Sequence, residues 1–122
     1  MKVILKTGKC RNHGVGDYGG KFPSNAWITV AKLKDWRWMF LVLVHELVEF
    51  ALCCHRGIKN RDITAWDRKF EALREPGNTD EPGNDPNCLY RAEHRFATRI
   101  ERLVAKELAV DWKEYDKEIT AF

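Results

Sequence analysis

The sequence predicts an α+β fold: a small N-terminal β-sheet of two or three strands packed on three main α-helices, in one domain covering residues 1–122. Three observations predict it. Val3-Ile4-Leu5 and Ala26-Trp27-Ile28-Thr29-Val30-Ala31 are short runs of β-branched, aromatic and other apolar residues near the start of the chain, and read as strands. The apolar segment 40–54 is too long for a strand and lies downstream of Asp35, a good helix N-cap. Beyond residue 60, apolar residues recur at helical spacing, first Ile63, Trp66, Phe70 and Leu73, then Leu89, Phe96, Ile100, Leu103 and Val104.

A chain of 122 residues, 44% hydrophobic and 32% charged, has the composition of a globular domain with one modest core. The longest uninterrupted apolar run, residues 39–44, is far short of the ~18 needed to span a bilayer. The first six residues hold too short an apolar stretch for a signal peptide, so a cytoplasmic location is expected. A net charge of +3 makes no demand for a nucleic-acid partner. Cys10, Cys53, Cys54 and Cys88 show no Cys-x-x-Cys spacing and are expected as free, mostly buried thiols.

Taken in order, the first strand ends at Thr7-Gly8, and the glycine-rich stretch 9–24 reads as a loop or irregular hairpin. Its glycines match no nucleotide fingerprint, and His13, Asp17 and Tyr18 are expected at its surface. The first helix opens after Asp35 at Trp36, runs to about His55 and stops at Gly57, with His55 and Arg56 complementing its dipole. Asp62 is the expected cap of a second helix ending near Arg74; Asp67 stands on its apolar stripe, an unusual place for a carboxylate. Residues 75–87 contain Glu-Pro-Gly-Asn twice and read as a solvated loop without helix or sheet, with a lid as the alternative. The last long helix, about 89–109, is expected to bury Leu89, Phe96, Ile100, Leu103 and Val104 and to turn its arginines to solvent. His94 and Glu101 then fall on the border of the buried face, and a final element around Trp112 and Tyr115 packs back on the helices.

The chemistry concentrates in the first helix. It is apolar on nearly every side, which predicts burial all round, yet it contains His45, Glu46 and Glu49. At about 100° per residue, His45 and Glu49 stack one turn apart on one edge, with Cys53 a turn further on and Glu46 on the flank. Burying such groups without partners costs several kcal/mol, and a divalent metal is the simplest compensation. His45 and Glu49 supply two ligands; His94 is the first choice for a third and Asp67 the second. Glu101 is a weaker candidate ligand, or a partner that orients His94, and Glu93 also stays open. Glu46 is placed to take a proton from a metal-activated water, with Tyr18, Tyr90 or an arginine steadying the oxyanion.

His45-Glu46-Leu47-Val48-Glu49 resembles the His-Glu-x-x-His helix of zincin metallopeptidases, with glutamate in place of the second histidine. The strand at 26–31 leading through a short turn into that helix also resembles the minimal zincin arrangement. The resemblance implies a sheet-edge strand that holds a peptide or protein substrate, a catalytic Glu46, and zinc as the metal. The glutamate substitution adds a negative charge and a harder ligand, which suits manganese or iron as well. The chain is also similar to small uncharacterised proteins encoded in phage and bacterial genomes, in residues 45–49, in Trp66, Asp67, Phe70 and Glu71, and in Tyr90 and His94. If phage-encoded, it is expected in the host cytoplasm.

Two other readings compete. The pairs Glu46/Glu49 and Glu93/Glu101 suit magnesium-dependent nucleotide pyrophosphate hydrolysis of the all-α type, which has no leading sheet. A non-catalytic phage or host-interaction protein with a closed structural metal site, including Cys53, is the third. No membrane partner is expected, and the oligomeric state and the substrate stay open.

Overall fold

The computed structural model describes residues 1–11 and 14–122; His13 lies outside the described residues. Three strands, β1 (Val3–Thr7), β2 (Gly16–Gly19) and β3 (Ala26–Val30), form one sheet in the order β1-β3-β2. It packs with four helices, α1 (Trp36–His55), α2 (Asn60–Ala72), α3 (Arg91–Glu107) and α4 (Trp112–Thr120), and the fold is α+β. β1 runs parallel to β3, with Val3 beside Ala26 and Thr7 beside Val30. β2 runs antiparallel on the other side, with Gly16 beside Val30 and Tyr18 beside Ile28.

This topology corrects the expectation of β3 as the edge strand. Its hydrogen-bonding groups are paired on both sides, because β2 forms inside the glycine-rich stretch that reads as a loop. Alternation along β3 places Ala26, Ile28 and Val30 in the core. Trp27 points the other way, under the cations of Lys6 and Arg11.

α1 starts where Asp35 accepts a hydrogen bond from the Arg37 backbone N–H at 2.9 Å. It ends at Gly57, whose φ of +73° only glycine adopts freely. There the Ile58 N–H donates to the Cys53 carbonyl and the Gly57 N–H to that of Cys54, closing both orphan carbonyls. By length and composition alone α1 would suffice to cross a bilayer, but one side of it lies against β2, β3 and α3. The other side does not, contrary to burial all round: Trp36 is 67% exposed. Cys10, Cys53 and Cys88 are buried and Cys54 half-buried, all four as free thiols.

Two further expectations are overturned. α2 begins one turn earlier, with Lys59 as N-cap and Asp62 inside the first turn, and Leu73 beyond its end is exposed. α3 is rotated relative to its apolar pattern: Glu93, His94, Ala97, Glu101 and Ala105 face inward, whereas Leu89, Phe96 and Leu103 are exposed. Small alanines on the inward stripe let α3 approach α1, and the charged groups there have partners, which an apolar pattern cannot reveal.

Replacing Gly57 by alanine forces a left-handed backbone on a residue with a Cβ, so a loss of about 1–2 kcal/mol is expected in urea unfolding. An unchanged midpoint would mean that this turn does not hold the end of α1.

Candidate metal centre

Packing of α1 against α3 brings three ligand atoms together: His45 Nε2, Glu49 Oε1 and His94 Nδ1. Their separations are 3.2 Å between the two imidazole nitrogens, 3.4 Å from His45 to Glu49 and 2.8 Å from His94 to Glu49. Tetrahedral ligands at 2.0–2.2 Å from one ion lie roughly 3.3 Å apart, so this triangle fits a divalent cation. All three residues are buried, and among the described residues they form the candidate metal-binding group.

His45 and Glu49 are each oriented by a further hydrogen bond. His45 Nδ1 lies 2.8 Å from Glu101 Oε1; the carboxylate takes the proton-bearing nitrogen and leaves the Nε2 lone pair toward the triangle. Glu101 in turn accepts from the Tyr115 hydroxyl of α4 at 2.6 Å. The Tyr18 hydroxyl of β2 donates to Glu49 Oε2 at 2.9 Å, which frees Oε1. At His94, Glu81 Oε2 stands 2.8 Å from Nε2 but off the hydrogen-bond direction, so that buried nitrogen lacks a directed partner. Gly83 lies flat against the same ring: a Cβ there would be 2.3 Å from His94 Cγ.

The buried groups shift one another's titration in opposite directions. Burial opposes charge on His45, but the carboxylates of Glu101 and Glu49 outweigh it and hold its pKa well above the usual imidazole range. Burial likewise opposes the His94 imidazolium, while Glu49 and Glu81 raise its pKa to about 9. Glu49 is held below the usual carboxylate range: its burial is outweighed by hydrogen bonds from His45 and His94. A divalent cation would replace those protons, as ligand binding to metals generally does.

Glu46 differs from its neighbours. It is half-buried and, among the described residues, makes no hydrogen bond or ion pair; burial, then the charge of Glu49, push its pKa to about 8 against the opposing charges of His45 and His94. Gly16 of β2 makes room for it, since a Cβ at that position would sit 2.5 Å from Glu46 Cγ and Oε1. Glu46, the ligand triangle, Asp67, Glu81 and Gly16 all border a cavity of about 370 Å³.

The other sequence-derived candidates fall elsewhere. Asp67 lines the cavity but stands apart from the triangle, its carboxylate accepting from the Tyr90 hydroxyl. Glu93 pairs with Arg56 at 2.5 Å. Glu101 orients His45 rather than His94. The hydroxyls of Tyr18 and Tyr90 are engaged by carboxylates, and the guanidiniums of Arg11 and Arg74 by Asp17, Glu71 and backbone carbonyls, so none of them is a ready oxyanion donor. Cys53 is buried, its sulfur 4.0 Å from the Tyr18 hydroxyl.

Sequence reasoning missed the roles of Glu81, Gly83, Gly16 and Tyr115. The loop 75–87 is exposed from Glu75 to Asp80, as expected, but it is also anchored: Trp66 Nε1 donates to the Pro82 carbonyl, Arg74 to those of Asn78 and Asp80, and Pro82–Asn84 forms a 3-10 turn where no helix is expected. The doubled Glu-Pro-Gly-Asn signalled tight turns, but nothing in it marked which one would meet His94: Gly77, in the first copy, has no such neighbour.

An α+β fold closing on a His–Glu–His cluster defines a candidate metal-binding protein. No protein-family model, no curated protein and no solved structure matches the chain.

Burial raises the pKa of Asp67 to about 6 despite the Tyr90 hydrogen bond. A raised carboxylate pKa means the folded state holds a proton that the unfolded chain has released, so stability falls as pH rises through 4 to 6. Asp67→Asn keeps an acceptor for Tyr90 without the buried charge. It is expected to flatten that slope, to stabilise the protein at pH 7 by on the order of 1 kcal/mol, and to leave metal binding intact. Loss of the metal in this variant would make Asp67 a ligand instead.

Proposed function

We propose that this chain is a metal-dependent hydrolase of zincin type acting on a peptide bond, with zinc as the first choice of ion. His45, Glu49 and His94 would hold the ion. The ion's contribution is Lewis acidity, which brings the pKa of water toward ~7. Glu46 accepts the proton released from water and passes it to the departing amine. Tyr18 and the pair Glu101–Tyr115 keep Glu49 and His45 turned inward while this happens.

The observation that carries this reading is Glu46: an unpartnered carboxylate beside a compensated ligand triangle, facing a cavity large enough for a substrate side chain and its neighbouring backbone. A buried structural network has no use for a carboxylate left without a partner. The likeness of residues 45–49 to the zincin motif supports the assignment of the bond cleaved. A substrate chain laid beside the cavity would meet β2, whose edge away from β3 is unpaired among the described strands, rather than β3.

Protein purified without chelator or histidine tag is expected to carry about one equivalent of a divalent metal, and His45→Ala to lose it. Glu46→Gln should retain the metal while turnover of a peptide-library substrate drops by roughly 10²–10⁴-fold. No metal even after reconstitution, or full turnover in Glu46→Gln, would overturn the proposal. Gly16→Ala provides a gentler test, because its methyl group displaces the Glu46 carboxylate: metal content should persist and turnover should fall.

A further inference from the structure

The side of α1 that points away from the metal centre is apolar from end to end. Trp36, Phe40 and Leu47 are 67%, 41% and 37% exposed. On the same face Ala51 is exposed and Val44 half-buried, while Leu43 and Cys54, also half-buried, lie at its border and pack in part against the core. No acidic or basic residue interrupts it; Arg37, at its margin, is turned to Asp35 and to the Leu108 carbonyl. Such a face is not explained by the site, which lies on the opposite side of the helix, nor by the fold, which leaves Trp36, Phe40, Leu47 and Ala51 exposed.

We infer that α1 is a homodimer interface, packing antiparallel against α1 of a second copy about a two-fold axis that passes between Leu43 and Val44. The inference does not depend on the metal-dependent reading. Three features carry it. The residues Trp36, Phe40, Leu43 and Leu47 follow a four-three-four spacing, the seam of helices that pack side by side. A two-fold contact must be self-complementary, each residue meeting its counterpart across the axis. Centred between Leu43 and Val44, that operation sets Phe40 against Leu47 and Leu43 against Val44, and sets the large Trp36 against the small Ala51. Bulk meets space at both ends, and no charge meets an apolar side chain.

The area suffices as well. Taking 150–250 Å² for each whole large side chain, the exposed parts of Trp36, Phe40 and Leu47 come to on the order of 300 Å² per copy, and Val44, Ala51 and the border residues bring this to about 400 Å². Two copies then bury roughly 800 Å², the size of a weak, reversible interface, which agrees with a dimer that dissociates at low concentration. The arrangement leaves both cavities open, because His45, Glu46 and Glu49 project from the other side of each α1.

Sedimentation of the full chain from low micromolar to submillimolar concentration should show a monomer–dimer equilibrium. Phe40→Glu and Leu47→Lys, both at exposed positions and checked for native circular dichroism, should each weaken dimerisation at least tenfold. Mixing the two variants is the decisive arm. In the antiparallel register the introduced acid of one chain meets the introduced base of the other, while the second Phe40–Leu47 contact stays native, so a heterodimer should form where neither variant dimerises alone. A wild-type monomer across the range overturns the inference, as does a dimer indifferent to both substitutions. A mixture that stays monomeric overturns the register. Monomeric wild-type protein that floats with lipid vesicles would assign the face to a membrane surface instead.

Discussion

Four ionisable groups buried in one place, His45, Glu49, His94 and Glu101, are the constraint on which the rest of this structure depends. Removing such groups from water costs several kcal/mol each unless charge and hydrogen bonding are returned to them. Here they are returned in a connected network: Glu49 bridges the two imidazoles, Glu101 takes the far nitrogen of His45, and Tyr18 and Tyr115 satisfy the remaining carboxylate oxygens, while His94 Nε2 has only the nearby charge of Glu81. The partners are drawn from four elements. β2, α1, α3 and α4 must all be in place before the whole set of buried charges is compensated.

That requirement explains features that look wasteful in isolation. β2 is short and flanked by glycines, a poor strand by propensity, but it presents Tyr18 to Glu49 and leaves space at Gly16 for Glu46. Tyr18 also stacks on Phe50 at 4.6 Å, so one side chain joins the apolar core to the polar circuit. The turn at Gly83 abuts the His94 ring, and Trp66 and Arg74 tie the loop down. Because these contacts surround the triangle closely, Glu46 stands out as the one acidic group of α1 left without a partner among the described residues.

α1 thus serves two environments. Its inner side holds the ionisable cluster and the core residues Leu41, Val42, Phe50 and Cys53; its outer side is apolar and uncovered. A helix whose composition is apolar all round carries no polar stripe to mark the solvent side, so the outer face gains its meaning only from what packs on it. Separation of the two faces by the width of a helix lets self-association and the chemistry of the cavity vary independently.

The sequence by itself determined the fold class and the central helix. Asp35, Gly57 and the β-branched run at Ile28 to Val30 are local signals, acting through backbone geometry within a few residues. His45 and Glu49 were legible for the same reason, since a separation of four residues on a helix is a local geometry. Tertiary structure alone decided which face of α3 turned inward: apolar spacing favoured Phe96 and Leu103, but partners supplied by α1 and α4 made burial of His94 and Glu101 affordable. It also decided that β3 is central rather than an edge, that Glu101 serves His45, and that Asp67 pairs with Tyr90. Those outcomes turn on contacts between residues far apart in the chain, whose energies depend on the partner and not on the residue's own neighbours.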